Sequence, residues 1–391
     1  MQIIIHRGTH QIGGCVTEID SNGAKVFIDF GSNLPGHASQ EPSYPIAGLT
    51  ISDGSKSALF LTHYHGDHVG RLGEALSGLP IYMGKTAKAL YLNYAQRVHS
   101  ANLPLIESIH SFMPLDTVRI GDISVTPLMI DHSAFDAYMF VIEAEGKRIL
   151  HTGDFRLHGF RGGKSLHMLH RYASGIDYLI CEGTTLSRET AQFITERELQ
   201  HKAKVLMQGC PYIFVFCSST NIDRIAAFYH ANPPGRLFLC DQYQKNQLEL
   251  VRMYHAKYSK FYDFRYIYSY APNLDERMEK QGFCMIIRQG AVFSQLLQRY
   301  QGRSRVIYSM WDGYLKGNTR NEALAAFIEP YHPFHLHTSG HAGPQDLVRL
   351  CQTVCPKHGL IPIHGEMPEH FRKLLPDRKV IILQDEEKLQ L

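Results

Sequence analysis

Short apolar runs separated by glycine-containing turns dominate the first 185 residues of the chain. Strands are predicted over residues 1–5, 15–19, 25–30, 57–61, 123–129, 137–142, 148–150 and 178–180. The runs 16–20 and 25–29 flank a Ser-Asn-Gly turn at residues 21–23, which is the pattern of a β-hairpin. Helical periodicity appears over residues 86–98. This part of the chain is therefore predicted to consist mainly of short strands.

The pattern changes in the middle of the chain, where longer helices alternate with strands. Helices are predicted over residues 196–207, 222–230 and 242–258, and strands over residues 212–216 and 236–239. Such alternation favours a parallel, Rossmann-like sheet. The last part returns to short segments, with predicted strands over residues 334–337, 360–363 and 380–383 and helices over residues 343–354 and 368–375.

Length and composition restrict the class of protein. The chain has 391 residues, of which 44% are apolar and 20% are charged, and this excludes a mostly disordered, collagen-like or coiled-coil chain. Because there is no uninterrupted apolar run of about 18 residues and no signal-peptide pattern, we expect no membrane association. The eight cysteines form no Cys-x-x-Cys pair, which indicates a reduced, cytoplasmic chain without a disulfide framework.

The charge is unevenly distributed along the chain. The formal net charge is +3, yet residues 191–330 hold 18 Lys and Arg against 12 Asp and Glu, a balance of +6. Two interpretations remain open. The segment is either a surface for a polyanion such as nucleic acid or an uneven solvated surface.

The strongest chemical signal is a His-x-His-x-Asp-His motif after the apolar run 58–61. Imidazole nitrogens and carboxylate oxygens are ligands that suit zinc and similar divalent ions. His63 and His65 alternate, so an extended backbone points both the same way. A helical turn beginning near Asp67 would direct Asp67 and His68 towards a neighbouring point. One motif is thus able to serve two adjacent metal ions.

Three further polar residues lie at the ends of predicted strands. A lone histidine in this position is more often structural, but the motif at residues 63–68 favours His132 as a ligand. Asp154 follows Thr-Gly, and its carboxylate has two oxygens with which to bridge two metals. Asp29 is expected to hold a ligand histidine or the His63 loop by hydrogen bonding, and the alternative is an ordinary acidic residue in a turn.

This ordered series resembles the metallo-β-lactamase fold, an αββα sandwich with metals at one edge of its sheets. The resemblance covers residues 1–183 continuously. Glu182, His341 and His364 further resemble motifs A, B and C of the β-CASP nucleases, and the strings Ser-Gly-His-Ala and Pro-x-His-Gly-Glu are closest to RNase J. That group carries an extra α/β domain between motifs A and B. The resemblance therefore implies a metallo-β-lactamase domain formed by residues 1–190 and 331–391, with a Rossmann-like β-CASP domain at 191–330.

The resemblance also implies a two-zinc site, with manganese as an alternative ion. One zinc would bind His63, His65 and His132, the other would bind Asp67, His68 and His364, and Asp154 would bridge both. The ions would generate hydroxide for attack on a phosphodiester bond. Asp67 would also orient the attacking oxygen, His341 would contact the phosphate or protonate the leaving oxygen, and Glu182 would lock a histidine in the correct tautomer.

Substrate contacts are predicted for Ser133, Ser339, Arg156 and Thr220. The two serines would donate to phosphate oxygens, and Arg156 either lines an entry for nucleic acid or is a surface charge. Thr220 stands where RNase J has a serine near a 5′ phosphate, and capping the following helix is an equally good interpretation. RNase J chains are longer, so we expect their C-terminal domain to be absent here.

The resulting function is a zinc-dependent phosphodiesterase that hydrolyses RNA, or also DNA. The alternative is a metallo-hydrolase of a small ester, lactam or phosphodiester on the same fold, which the β-CASP motifs argue against. A non-catalytic nucleic-acid-binding protein is the third hypothesis, and the complete ligand set argues against it. Endonuclease or exonuclease mode and assembly into a homo-oligomer are left open.

Overall fold

The computed structural model describes residues 1–34, 44–188 and 193–391, which form two compact units. The first unit joins Met1–Gln192 to Gly340–Leu391, and the second is Phe193–Ser339. The predicted boundary between residues 190 and 191 falls within residues 189–192, outside the described residues. The other predicted boundary, after residue 330, differs from the observed one after Ser339, because a short strand at Phe334–His335 still pairs with the sheet of the second unit.

The first unit contains runs of consecutive strands, whereas strands and helices mostly alternate in the second unit. The strands are β1 (Gln2–Arg7), β2 (Val16–Ser21), β3 (Ala24–Ile28), β4 (Ser57–Phe60), β5 (Ile81–Gly84), β6 (His110–Phe112), β7 (Val118–Ile120), β8 (Ile123–Ile130), β9 (Ala137–Ala144), β10 (Lys147–His151), β11 (Tyr178–Glu182), β12 (Tyr212–Phe216), β13 (Leu237–Cys240), β14 (Ile267–Ser269), β15 (Phe283–Ile287), β16 (Ser304–Tyr308), β17 (Phe334–His335), β18 (Gly359–Ile363) and β19 (Lys388–Gln390). The helices are α1 (Gly66–Val69), α2 (Lys85–Arg97), α3 (Leu103–Ser108), α4 (Gly162–Ala173), α5 (Glu196–Leu206), α6 (Ile222–Ala231), α7 (Gln242–His255), α8 (Asp275–Gln281), α9 (Ala291–Arg299), α10 (Glu322–Ile328), α11 (Pro344–Val354) and α12 (His370–Leu374).

Two sheets pack face to face in the first unit. Within the described residues, one sheet has the order β19-β1-β2-β3-β4-β5-β6 and the other has the order β18-β11-β10-β9-β8-β7. The core between them includes Ile5 and Ile28 from the first sheet and Phe140 and Ile180 from the second. Burial of such side chains stabilises the fold by about 1.5–3 kcal/mol each.

Helices cover the outer faces of both sheets. Strand β9 is apolar on both sides: Phe140 and Ile142 face the other sheet, whereas Met139 and Val141 pack in a second cluster with α4, α11 and α12. This is the period-2 alternation of a strand buried on both faces. Helix α2 packs on β5 and β6 of the first sheet. The unit is therefore the αββα sandwich that the motifs predict.

The second unit contains a parallel sheet. Its strand order is β14-β13-β15-β12-β16-β17 within the described residues, and every pair is parallel. Side-chain caps set the starts of its helices: Thr195 forms a capping box with Glu198 for α5, Asn221 caps α6 and Asp241 caps α7. The Rossmann-like architecture predicted for this segment is confirmed.

The terminal segment differs from the prediction. Residues 380–383 form only a single bridge between Val380 and Leu360, because the chain leaves the edge of that sheet. The closing strand is instead β19, which pairs antiparallel with β1. Its residues are largely exposed, so no apolar pattern identified it in advance. Among the residues that the structure describes, none of the helices combines the length and apolar character needed to cross a bilayer.

All eight cysteines are free thiols, and only Cys355 is exposed. Burial raises the pKa of several of the others, and that of Cys217 reaches about 12. A thiol reacts through its thiolate, so burial and a high pKa both slow the reaction.

We expect one cysteine per native chain to react rapidly with a disulfide reagent such as DTNB at pH 8, and all eight to react after denaturation. The Cys355→Ser variant should lose the rapid phase and keep its melting temperature. Two or more rapid thiols in the native wild type would contradict the described burial.

Candidate metal centre

The His-x-His-x-Asp-His motif occupies the loop after β4 and the start of α1, and Asp29 holds this loop. Asp29 follows β3, which pairs with β4. Its carboxylate accepts hydrogen bonds from the backbone N–H of Thr62 at 2.8 Å and from Thr62 Oγ1 at 2.8 Å. Asp29 has φ +62°, a left-handed conformation that costs a residue other than glycine about 1 kcal/mol or more. The turn at the end of β3 therefore carries strain in order to place this carboxylate.

Three imidazole nitrogens converge at the first group of candidate ligands. His63 Nε2 lies 3.1 Å from His65 Nδ1, and His132 Nε2 lies 3.3 Å from the same atom. A tetrahedral zinc ion with Zn–N distances of about 2.0–2.1 Å keeps its nitrogens about 3.3 Å apart. The spacing of the three rings therefore fits a shared zinc ion.

The three rings are suited to binding a cation because they stay neutral. Burial lowers the pKa of His63 and of His132, and it lowers the pKa of His65 to about 4. At neutral pH each ring therefore offers a nitrogen lone pair rather than a positive charge. Only neutral imidazole is a metal ligand.

A second group combines two carboxylates and two imidazoles. The ligand atoms of Asp67, His68, Asp154 and His364 all lie within 4.8 Å of one another. Asp67 Oδ2 is 3.3 Å from His364 Nε2 and 3.8 Å from His68 Nε2. Mixed carboxylate and imidazole ligands suit zinc and manganese alike.

Asp154 lies between the two groups. Its Oδ2 is 3.2 Å from His68 Nε2, 3.9 Å from His63 Nε2 and 4.0 Å from His132 Nε2. Its Oδ1 is buried and has no hydrogen-bond partner among the described residues. A buried carboxylate oxygen without a donor is costly, and a cation would satisfy it. The residues present therefore fit a metal centre with Asp154 at its middle.

Hydrogen bonds fix which nitrogen of each ring faces the centre. His68 Nδ1 donates to Asp29 Oδ2 at 2.7 Å. His63 Nδ1 donates to Thr62 Oγ1 at 3.0 Å, since that hydroxyl itself donates to Asp29. Both rings therefore present Nε2 as the metal-binding atom. Such outer contacts hold the tautomer and orientation of a ligand.

Two further hydrogen bonds that orient candidate ligands involve residues that the sequence analysis did not predict. His132 Nδ1 donates to the carbonyl of Gly340 at 2.7 Å, and His364 Nδ1 pairs with Thr184 Oγ1 at 2.8 Å. Both rings thus also present Nε2. The sequence feature that could have indicated Thr184 is its position two residues after Glu182. Gly340 contributes only its backbone carbonyl, which any residue has, so no sequence pattern indicates it.

Glu182 and His341 form a pair beside Asp154. His341 Nδ1 is 3.2 Å from Glu182 Oε2 and 3.5 Å from Asp154 Oδ2. Glu182 Oε1 also accepts from the backbone N–H of Phe155. Burial would lower the pKa of His341, but the carboxylates of Glu182 and Asp154 outweigh it and raise the pKa. His341 therefore carries more positive charge at neutral pH than an ordinary histidine.

The carboxylates of the centre stay ionised. Burial alone would raise the pKa of Asp67, but His68 and His364 outweigh it and hold the pKa well below its usual range. Burial opposes ionisation of Asp154 too, and nearby histidines, foremost His364, lower its pKa. Both residues are thus negatively charged acceptors at neutral pH.

Two of the predicted substrate contacts, Ser133 and Arg156, lie in the first unit. Ser133 is half-buried, with Oγ 3.3 Å from His132 Nε2. The prediction for Arg156 is wrong in both versions, because its side chain is fully buried and Nε donates to Asp131 Oδ1 at 2.9 Å. Arg156 braces the residue before His132 instead of facing nucleic acid.

Two other predicted contacts, Ser339 and Thr220, belong to the second unit. Thr220 does not cap α6, since Asn221 accepts the hydrogen bond from the N–H of Arg224. Thr220 Oγ1 instead lies 3.0 Å from Ser218 Oγ. The proposed contacts of Ser339 and Thr220 with substrate stay predictions.

The chain is similar to known metallo-hydrolases. Residues 26–215 match the beta-lactamase superfamily domain, and residues 334–381 match the Zn-dependent metallo-hydrolase RNA specificity domain. A crystal structure of a protein of unknown function from Enterococcus faecalis V583 superimposes with a TM-score of 0.80 at 21% identity, covering 100% of this chain and 99% of that one. The chain thus has the metallo-β-lactamase fold.

Its relatives narrow the class further. Ribonuclease J of Helicobacter pylori strain B128 is 20% identical over 427 residues, covering 98% of this chain and 60% of that protein. Ribonuclease J of Mycobacterium tuberculosis strain H37Rv is 23% identical over 399 residues, covering 92% and 67%. Ribonuclease J of Sinorhizobium meliloti is 24% identical over 221 residues, covering 53% and 38%. The chain is thus similar to Ribonuclease J over most of its own length, and it spans about 60% of the length of the H. pylori relative.

The close approach of Gly31 to the ligand loop gives a test by substitution. A Cβ at Gly31 would lie 1.6 Å from the carbonyl oxygen of Asp67, so Gly31→Ala must displace the backbone that carries Asp67 and His68. We expect Gly31→Ala to weaken zinc affinity at least tenfold in a chelator competition assay.

Gly66→Ala is the matched control, because a Cβ there meets nothing within 4 Å in the same loop. It should bind zinc like the wild type. Equal zinc affinity for both variants would contradict the described packing of the loop.

Metal removal should lower the stability of the chain, because the folded protein alone gathers these ligands. A metal ion at about 100 times its Kd stabilises a protein by about 2.7 kcal/mol per site. We expect chelator-stripped protein to melt several degrees lower and to recover on addition of zinc, as followed by calorimetry. A melting temperature that does not respond to zinc in the wild type would argue against the centre, and a His63→Ala variant should respond less.

Proposed function

We propose that the chain is a zinc-dependent phosphodiesterase that hydrolyses RNA. The observation that carries this proposal is the position of Asp154, whose carboxylate lies between two groups of ligands and within 3.2–4.0 Å of three metal-facing imidazole nitrogens. A carboxylate shared in this way suits a pair of metal ions, which is the arrangement used for in-line displacement at phosphorus.

The two ions would be held by separate sets of residues. His63, His65 and His132 would hold one, and Asp67, His68 and His364 would hold the other, with Asp154 common to both. Bound divalent ions supply Lewis acidity, which lowers the pKa of water towards 7 and neutralises phosphate oxygens. Zinc is the proposed ion, and manganese is the alternative that these ligands also accept.

Asp67 is proposed to orient the attacking water. Its carboxylate is ionised at neutral pH, since its pKa lies well below its usual range, and a bound cation would keep it so. Oδ2 lies 3.3 Å from His364 Nε2, the nitrogen that would share its metal ion. An ionised carboxylate in this position accepts a hydrogen bond from water and directs its lone pair towards phosphorus.

His341 is proposed to act on the phosphate and on the leaving oxygen. The carboxylates of Glu182 and Asp154 raise the pKa of His341 against the effect of burial, so the ring carries more positive charge than an ordinary histidine and is suited to stabilise phosphate charge and to protonate the leaving oxygen. Glu182 fixes the ring through Nδ1, so the proton offered to the substrate is the one on Nε2. Ser133, beside His132, is proposed as a donor to a non-bridging oxygen.

RNA is proposed as the substrate on three grounds. The match to an RNA specificity domain covers residues 334–381, and the H. pylori and M. tuberculosis relatives bear the name Ribonuclease J. The basic balance of residues 191–330 also favours a polyanion. A small ester or lactam would require none of these features.

Two substitutions test the proposed roles. Asp67→Ala should abolish cleavage of RNA labelled at either end, and His341→Ala should lower the rate about 10²–10⁴-fold while zinc content and melting temperature stay close to those of the wild type. His167→Ala is the control, since His167 is exposed on α4 and lies outside both the centre and residues 334–381.

Wild-type-like cleavage by Asp67→Ala or His341→Ala would refute the assigned roles. A zinc-loaded wild type that leaves RNA intact but hydrolyses a small ester would establish the alternative substrate class.

A further inference from the structure

The three most exposed large apolar side chains of the described residues lie close together in sequence. Met253, Tyr258 and Tyr266 are 62%, 68% and 70% exposed. They lie at the end of α7 and in the segment that leads to β14. Single exposed apolar residues are ordinary, but a cluster of them marks an interaction surface.

Cations lie next to these side chains. Met253 lines a shallow cavity of about 500 Å³ whose charged lining residues are Arg252, Lys257, Lys260 and Arg265 with Glu249 and Asp263. Lys257 Nζ also lies 4.7 Å from the centre of the Tyr258 ring. Asp263 accepts from both Arg252 Nε at 2.9 Å and Arg265 Nε at 2.5 Å, so one carboxylate is shared by two guanidinium groups. Among the described residues, Lys257 and Lys260 have no carboxylate within ion-pairing distance. The surface therefore has excess positive charge.

Buried aromatic residues hold the backbone of this segment in place. Tyr262 is buried and its hydroxyl donates to Asp223 Oδ1 at 2.8 Å, and Phe264 is buried beside it in sequence. His230 Nε2 donates to the carbonyl of Phe261 at 2.7 Å, and the two rings stack at 4.4 Å. The exposed tyrosines therefore stand on a fixed backbone, which lowers the entropy cost of binding.

The surface lies away from the two segments that connect the second unit to the rest of the chain. It precedes β14 and so lies at the amino ends of the parallel strands. Near the connecting segments, Arg224 Nη2 donates to Glu196, and Arg224 Nη1 donates to the carbonyl of Ser309, directly after β16. These contacts lie at the carboxyl ends of the strands. Substitutions on the surface therefore leave both connections intact.

We propose that residues 252–266 form an accessory binding surface for single-stranded RNA. Tyr258 and Tyr266 stack on bases, and Lys257, Lys260 and Arg265 neutralise phosphates. Aromatic faces combined with a basic groove are the means by which proteins hold single strands without sequence preference. The choice of RNA rests on the proposed function, whereas the surface itself does not involve the metal centre.

A single strand fits this surface better than an acidic protein does. An acidic protein requires the cations alone, but the two tyrosines, which are the most exposed aromatic residues described, offer faces for unstacked bases. Duplex RNA keeps its bases stacked, so it would engage only the cations. The loss of binding on removal of the two tyrosines therefore distinguishes single-stranded RNA from duplex RNA and from an acidic protein.

Fluorescence anisotropy with the zinc-loaded chain and a labelled 2′-O-methyl RNA of about 20 nucleotides tests the proposal, because this length exceeds the usual site of about 4–16 nucleotides. The intactness of the RNA is checked on a gel afterwards. We expect Tyr258→Ala/Tyr266→Ala to weaken binding about tenfold or more. Lys257→Ala/Lys260→Ala should reduce the slope of log K against log salt by about 1.4, since each phosphate contact contributes about 0.7.

Matched controls are Tyr94→Ala, a tyrosine 44% exposed on α2, and Lys164→Ala/Arg171→Ala, which removes two exposed charges on α4. Both should bind like the wild type. Unchanged binding by the double tyrosine variant overturns the proposal, and so does a loss confined to the lysine variant, which would indicate a general polyanion or acidic-protein surface. Cleavage of bis-p-nitrophenyl phosphate should be unchanged in every surface variant. The proposed function is tested separately, by cleavage of unmodified RNA with the zinc-loaded wild type, and its failure would leave the binding result standing.

Discussion

Asp154 is a buried carboxylate surrounded by imidazole rings instead of cationic side chains. Its Oδ2 faces His68, His63 and His132, and its Oδ1 has no hydrogen-bond partner among the described residues. A charge in this position is expensive unless a cation shares the space. Outer hydrogen bonds hold the ring nitrogens that face this group, and its charge, together with that of Glu182, raises the pKa of His341 against the effect of burial.

Residues of the candidate metal centre lie at the ends of strands. Asp29 follows β3, His132 comes two residues after β8, and His364 follows β18 directly. Asp29 and His364 both adopt positive φ angles, at 62° and 50°, so the backbone turns sharply where each side chain is needed. Such strain persists only where the surrounding structure over-determines it, here through strand pairing on one side and hydrogen bonds to neighbouring loops on the other. The sandwich is thus a rigid support, and the chemistry depends on its loops.

Much of the centre was predictable because its signals are local. Four ligands within six residues predict a metal site whatever the rest of the chain does, and the strand-end positions of His132 and Asp154 needed only that context. The supports from Thr184 and the Gly340 carbonyl were missed because they depend on which loops meet in space. Arg156 was misjudged because a sequence does not distinguish a buried ion pair from a surface charge. Strand β19 was missed for a similar reason, since an exposed edge strand lacks an apolar pattern.

Anomalous diffraction from crystals of the zinc-loaded chain tests the central claim most directly. The account predicts two anomalous peaks about 3.5–4 Å apart, with the carboxylate of Asp154 in contact with both. His63, His65 and His132 should surround one peak, and Asp67, His68 and His364 should surround the other. A single peak, or two peaks that leave Asp154 without a metal neighbour, would contradict the account.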